Sequence, residues 1–581
     1  MTLAVGRRDL LPMFIRATAL AALLLATPVL AQTPPAESAA QTLQSGRPLA
    51  PEQAAVTLDV ADLAIKVLPE TRSIEAIATL TFTATAPVER LVVDLDERFT
   101  VADVHIDGVA LSADGDWGQD DGRLWAQLAT TLSPGASTSL RIAYSGQPRV
   151  APRAPWNGGF VWSTAPSGEP WIATAVQGEG CDLFWPCIDS SLSEPGRVDL
   201  HITVPSNLSA PSNGRFLGTV DHGDGWTTWN WSARNINPYA VALTVGPYEK
   251  VEATYQSRFG NSFPMEYWHL KSDDPAKVAA LFPQFAPMLD FFEATVGPYP
   301  FADEKMGVVE TPHLGMEHQT INAYGNGYRI DLRGYDWLLQ HELAHEWFGN
   351  QMTHANIDDF WLHEGLGTYM QPLYARWLHG DRYMQIELGE LHASLANIFP
   401  IVRDEALVGN GYLGGQGPGN DIYFKGALVA HTLRMLIGDE AFFRSLRVLI
   451  YGHPDPRPGS FTTMRRSTRD FVRIVEAETG QELSWFFEAY LLNGDLPVLN
   501  QSREGDRLTL SWRVSGYSAG VPFRMPVEVE IDGVVTTVPM TDGRGEISVP
   551  ANASVLIDPD NKVLRRLDLI ETYRASRARP N

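Results

Sequence analysis

Along this chain the hydrophobic period changes twice, and that switch limits the architecture more than any other feature. From about residue 53 to 255, apolar and polar residues alternate with period two, in runs such as VTLDVADLAIKV, IEAIATLTFTATA, SLRIAYSG and RVDLHITVP. Such runs make half-buried strands, because successive side chains point to opposite faces of a sheet. DHGDGW, Asp221–Trp226, separates two of them and reads as a hairpin turn. From Pro275 the spacing becomes helical, in PAKVAALFPQFAPMLDFFEATVG, and a short strand, KMGVVET, follows. Helical stretches are then expected at 335–349, 359–378, 421–437, 439–451, 464–479 and 483–492. After a break at NGDLPVLN (Asn493–Asn500), short alternating runs such as RLTLSWRV and PVEVEIDG return. A pattern of one period does not settle as the other element, so the order is β, α-rich, β. The expected fold class is multidomain α+β. Its parts are an N-terminal all-β domain (51–255), an α-rich domain (256–495) and a small C-terminal β-sandwich (496–570).

The ends read differently. Arg7, Arg8 and Arg16 precede ATALAALLLATPVLA, an apolar run too short to span a bilayer and closed by small residues. Residues 1–31 are expected to be a secretory signal, which implies a periplasmic or secreted protein. Residues 32–50, rich in Pro and Ala, are expected to be a flexible lead, and 571–581 a tail. A formal charge of −24 argues against nucleic acid and anionic membranes as partners, because both would repel the chain. The two cysteines, Cys181 and Cys187, either pair across the turn DLFWP or stand as buried thiols.

The stretch LLQHELAHEWFGNQ carries the chemistry. His341 and His345 are four apart, so on a helix they share a face one turn from each other and can hold one metal ion. Glu342 lies about 100° round the helix, which suits a general base acting on water rather than a ligand. The pattern alone arises by chance often enough to need context. DDFWLHEGLGTYM supplies it with Glu364, eighteen residues beyond the second histidine. A buried unpaired glutamate there would be costly, and a catalytic zinc with three protein ligands relieves that cost. His354 and His363 are expected to stand behind the metal ligands or at the surface. GNGYLGGQGPGN, Gly409–Asn420, reads as a mobile loop, either a lid or a plain linker.

That spacing is the gluzincin pattern of thermolysin-like peptidases. With HLGMEHQT, AVQGEGCDLFWPCID, DIYFKGALVAHTL and SWFFEAYLLNGDLPVLN, the chain resembles the zinc aminopeptidases of the aminopeptidase N and leukotriene hydrolase family. The likeness covers about 55 to 570, in a short form without room for the family's large C-terminal helical domain. It implies a saddle-like N-terminal β domain, a thermolysin-like catalytic domain and one Zn²⁺ per chain on His341, His345 and Glu364. It implies Glu342 as general base and Tyr423 as oxyanion donor. Glu179 and Glu317 would bind the α-ammonium of peptides with a free N-terminus. Gln177, Gly315 and Met316 would line the substrate cleft. Leu314, His318 and His363 depart from the usual glycine, asparagine and asparagine, which bears on substrate positioning. Three alternatives stay open: a thermolysin-like endopeptidase, an epoxide hydrolase on the same zinc site, and a secreted peptide-binding protein without catalysis.

Overall fold

The computed structural model describes residues 38–330, 332–405, 417–459, 461–517 and 520–577. The segment expected as a signal, the start of the lead and most of the glycine-rich loop lie outside these residues. Among them, no helix is long and apolar enough to cross a membrane.

The N-terminal region is built on an eight-stranded sheet whose long central hairpin is Val56–Leu68 and Ser73–Ala84. Ala61, Leu63, Ile65 and Val67 alternate into the core, as period two requires. Leu58 faces the same core because a bulge between Leu58 and Val60 shifts the phase by one residue. Arg197–Pro205 joins that sheet parallel to Val56–Leu68, and the expected hairpin pairs Arg215–Asp221 with Trp226–Arg234. The lead is not free over its described part. Ser38 Oγ donates to Asp96, Ser45 Oγ to Asp189 (3.1 Å) and Arg47 to Asp94 (3.1 Å), while Thr42 is buried. Its polar composition suggested flexibility, but its partners are aspartates far along the chain. Cys181 and Cys187 form a disulfide.

Sheet membership changes at Tyr248, inside the stretch assigned from sequence to the β domain. Tyr248–Gln256 pairs with Ser262–Leu270 in a five-stranded sheet that continues through Met306–Glu310, Asn322–Tyr324 and Gly315–Met316. Met316 and Ala323 pack into the β-domain core, whereas Tyr324 packs into the helical core. This short edge hairpin is therefore shared between the two cores. Side chains bonding to backbone carbonyls seal the junction: Asn213 Nδ2 donates to Gln319 O (2.7 Å) and Lys305 Nζ to Ser212 O (2.8 Å).

The helical stretches form, with different edges. The expected helix at 335–349 is Trp337–Ala344, because its last turn tightens into i→i−3 bonds at His345, Glu346 and Trp347. A further helix, Asp381–Ser394, follows Trp361–His379 after Gly380. The expected tail is part of a helix, Asp568–Arg577, whose Arg574 bonds the carbonyls of His392 and Ala393. Between them, two three-stranded sheets share a small core of Leu508, Leu510, Val527, Val529 and Val538. Val498–Glu504 adds a strand where the sequence suggested only a break.

Candidate metal and substrate site

Three helices and one strand converge on a cleft of about 690 Å³. The first helix, Trp337–Ala344, is aimed by its N-cap: Asp336 Oδ1 accepts from the N–H groups of Leu338 and Leu339, both at 3.1 Å. It presents His341, and His345 follows at its C-cap. The second helix, Trp361–His379, carries Glu364 in its first turn, where the helix dipole favours a carboxylate. A third helix, Asp421–Ile437, brings Tyr423 to the same cleft. It approaches the second as closely as backbones allow. A Cβ on Gly365 would lie 2.8 Å from Gly426 Cα, and one on Gly426 would lie 2.7 Å from Gly365 Cα. Two facing glycines thus set the separation of Glu364 and Tyr423.

The donor set has the dimensions of a metal site. His341 Nε2 and His345 Nε2 are 3.2 Å apart, and Glu364 Oε2 is 3.5 and 3.4 Å from them. Tetrahedral zinc with bonds of about 2.0–2.2 Å separates its ligand atoms by about 3.3–3.6 Å. His345 Nδ1 donates to Phe348 O at 2.8 Å, which fixes the tautomer and leaves Nε2 facing the site. His341 Nδ1 and Glu364 Oε2 are buried without a hydrogen-bond partner. Burial opposes charge on both His345 and Glu364, yet each stabilises the other's ion. The His345 pKa is pushed up to about 10, and the Glu364 carboxyl is held well below its usual range. The field that would protonate this imidazole favours a cation in the proton's place. His341, His345 and Glu364 fit zinc on geometry, and the His345 tautomer and the His345–Glu364 charge pairing fit it too.

Glu342 lines the cleft beside them, with ligand-type atoms of Glu317, Glu342 and His345 within 4.8 Å of one another. Burial raises its carboxyl well above the usual range, Glu317 and Glu364 add to this, and His345 opposes it. A Cβ on Gly315 would come 2.2 Å from Glu342 Oε1, so the bare glycine gives that carboxylate its space. Tyr423 stands with its ring 6.1 Å from that of His341. Burial first, then Glu364, Glu317 and Glu342, keep its hydroxyl protonated and able to donate.

The expected substrate residues separate into two groups. Gln177, Gly315, Met316 and Glu317 line the cleft. Glu179 is not among the lining residues: it is buried, and its Oε2 accepts from Gly158 N at 2.7 Å. His318 is fully buried, with neither ring nitrogen bonded, and burial takes its pKa down to about 3. It is a neutral packing residue, and Leu314 reaches the cleft wall. His354 and His363 are both buried with rings 4.7 Å apart, and His363 Nε2 accepts from His354 N at 3.0 Å. Among the described residues neither joins a metal-binding group. The sequence reading missed Tyr239, whose hydroxyl donates to Glu317 Oε1 at 2.7 Å. It sits in an apolar run, and no local pattern links it to a partner 78 residues away.

Comparison with known proteins agrees with this geometry. The profile of the peptidase family M1 domain matches residues 328–405. Aminopeptidase N of Streptomyces lividans is 24% identical over 410 residues, 58% of this chain and 45% of that protein. Probable aminopeptidase 2 of Sulfurisphaera tokodaii is 22% identical over 394 residues, 62% of this chain and 47% of that protein. The chain spans about half the length of these curated relatives. Among solved structures, the M1 zinc metallopeptidase from Deinococcus radiodurans is 26% identical with a TM-score of 0.64, covering 77% of this chain and 96% of that one.

Proposed function

This chain belongs to the peptidase M1 family, and on that premise we propose that it is a zinc aminopeptidase, removing the first residue from peptides with a free α-amino group. One observation carries the reading. A three-donor metal set with tetrahedral spacing shares a cleft with the Glu342 carboxylate and with a separate carboxylate, Glu317.

His341, His345 and Glu364 would hold one zinc ion. When bound, zinc supplies Lewis acidity, which polarises a carbonyl and makes water a nucleophile near neutral pH. The chain's own groups do the rest. Glu342 takes the proton of the attacking water and returns it to the leaving amine; a cation beside it lowers its raised pKa toward a working carboxylate. The Tyr423 hydroxyl donates to the oxygen that gains charge. Glu317 pairs with the α-ammonium, a group that must find a carboxylate once desolvated. Fixing the amine at that distance from the metal donors places the first peptide bond over them. Glu179 supports this end by tying Gly158, and with it the rim loop, to the Gln177–Gly178 segment.

The test is hydrolysis of a panel of aminoacyl-p-nitroanilides, each free and N-acetylated. Release from free-amine substrates only is expected, with kcat lowered ~10²–10⁴-fold by Glu342→Gln. Equal cleavage of acetylated substrates would favour an endopeptidase instead.

A further inference from the structure

We propose that Tyr239 is a positioning residue for amine recognition: with Gln177 it fixes one oxygen of the Glu317 carboxylate so that the other meets the substrate's ammonium. The proposal rests on the aminopeptidase reading above. The Tyr239 hydroxyl donates to Glu317 Oε1 at 2.7 Å, and Gln177 Nε2 donates to the same oxygen. Two donors on Oε1 remove the carboxylate's rotational freedom and leave Oε2 as the oxygen for an incoming cation. A carboxylate held this way need not reorganise when substrate arrives.

Tyr239 is itself held firmly. It lies in the short 3₁₀ turn Pro238–Ala240 and is 6% exposed. Asn213 grips both sides of that turn, donating from Nδ2 to Ala240 O (2.9 Å) and accepting from Ala242 N (2.7 Å). Asn237 Nδ2 reaches Thr353 Oγ1 at 3.3 Å, tying the turn to the segment that follows the first site helix. Burial and the Glu317 charge raise the tyrosine pKa, so its proton stays on oxygen and points at the acceptor. Gln177 comes from the other side, on a segment held by Ser45 N–H bonding Gly178 O at 3.4 Å. The amine end of the cleft is thus set by three residues from three segments, and the N-terminal lead braces one of those segments through Ser45.

The experiment compares Tyr239→Phe and Gln177→Ala with the parent enzyme, with bound zinc and unfolding temperature recorded for each. On free-amine anilides the expected result is a KM raised about tenfold with kcat changed far less, since a hydrogen bond to a charged group is lost from binding. In a Glu317→Gln background the same substitutions should add little. Calorimetry in the non-hydrolysing Glu342→Gln variant gives a readout without turnover, using leucine amide and N-acetyl-leucine amide as probes. Preference for the free amine that is lost in Tyr239→Phe supports the proposal. Preference retained in Tyr239→Phe overturns it and leaves the aminopeptidase reading standing. No preference in the parent overturns that reading and the proposal with it. A KM increase of the same size with and without Glu317 would mean that Tyr239 only supports the fold.

Discussion

The two sides of the cleft are built by different rules. The metal side takes His341 and His345 from one turn of chain and Glu364 from the next helix. The proposed amine side takes Gln177, Tyr239 and Glu317 from three segments, with contacts spanning 140 and 78 residues. Helical periodicity places two imidazoles together with no help from the rest of the fold, so the metal side is local. The amine side exists only where two hydrophobic cores meet at the edge hairpin of Gly315–Met316 and Asn322–Tyr324. A local device loses all function with one ligand, whereas an assembled device loses it in graded steps.

Removing Glu364 should have the largest effect. Glu364→Ala is expected to lower bound zinc from about one per chain to well below half, with activity at background and little change in circular dichroism; elemental analysis checks this. Full zinc occupancy in that variant would place the metal elsewhere. Tyr423→Phe should come next, keeping the metal but lowering kcat by ~10²–10³ with little change in KM. An unchanged kcat would reduce Tyr423 to a packing residue of the cleft wall.

The amine side should respond more weakly and unevenly. Glu317→Gln is expected to lower kcat/KM for free-amine substrates by roughly 10- to 100-fold. Glu179→Gln should cost about threefold or less, because an amide oxygen still accepts from Gly158 N. Equal losses would mean that both carboxylates meet the ammonium.

The smallest effect concerns stability beneath the amine side. Burial pushes the Asp189 carboxyl up from 3.8 to about 7, Asp94 adds to this, and Ser45, Cys181 N and Arg47 oppose it. A raised pKa means that the folded state holds the proton more tightly than the unfolded one. The stabilising contribution is complete below about pH 4 and disappears as the pH rises through about 7. Asp189→Asn keeps the acceptor for Ser45 but has no proton to lose, so its unfolding temperature should exceed the parent's by a few degrees at pH 8. The gap should narrow at pH 5. A gap of the same size at both values would show that the carboxyl does not titrate.

By itself the sequence determined the β, α-rich, β order, because hydrophobic period is a local property of the chain. It also determined His341 and His345 as a donor pair, because spacing on a helix is local too, with Glu364 following on the next helix. Boundaries drifted where hydrogen bonding overrode pattern, as in the tightened turn that ends the first site helix at Ala344. The lead at 38–50 read as flexible because its anchors, Asp94, Asp96 and Asp189, are distant in sequence. Only the tertiary structure decided the disulfide left open by spacing, the turning of Glu179 toward Gly158, and the pairing of Tyr239 with Glu317. Each depends on where two surfaces meet, and that position follows from the packing of whole cores rather than from any neighbouring residue.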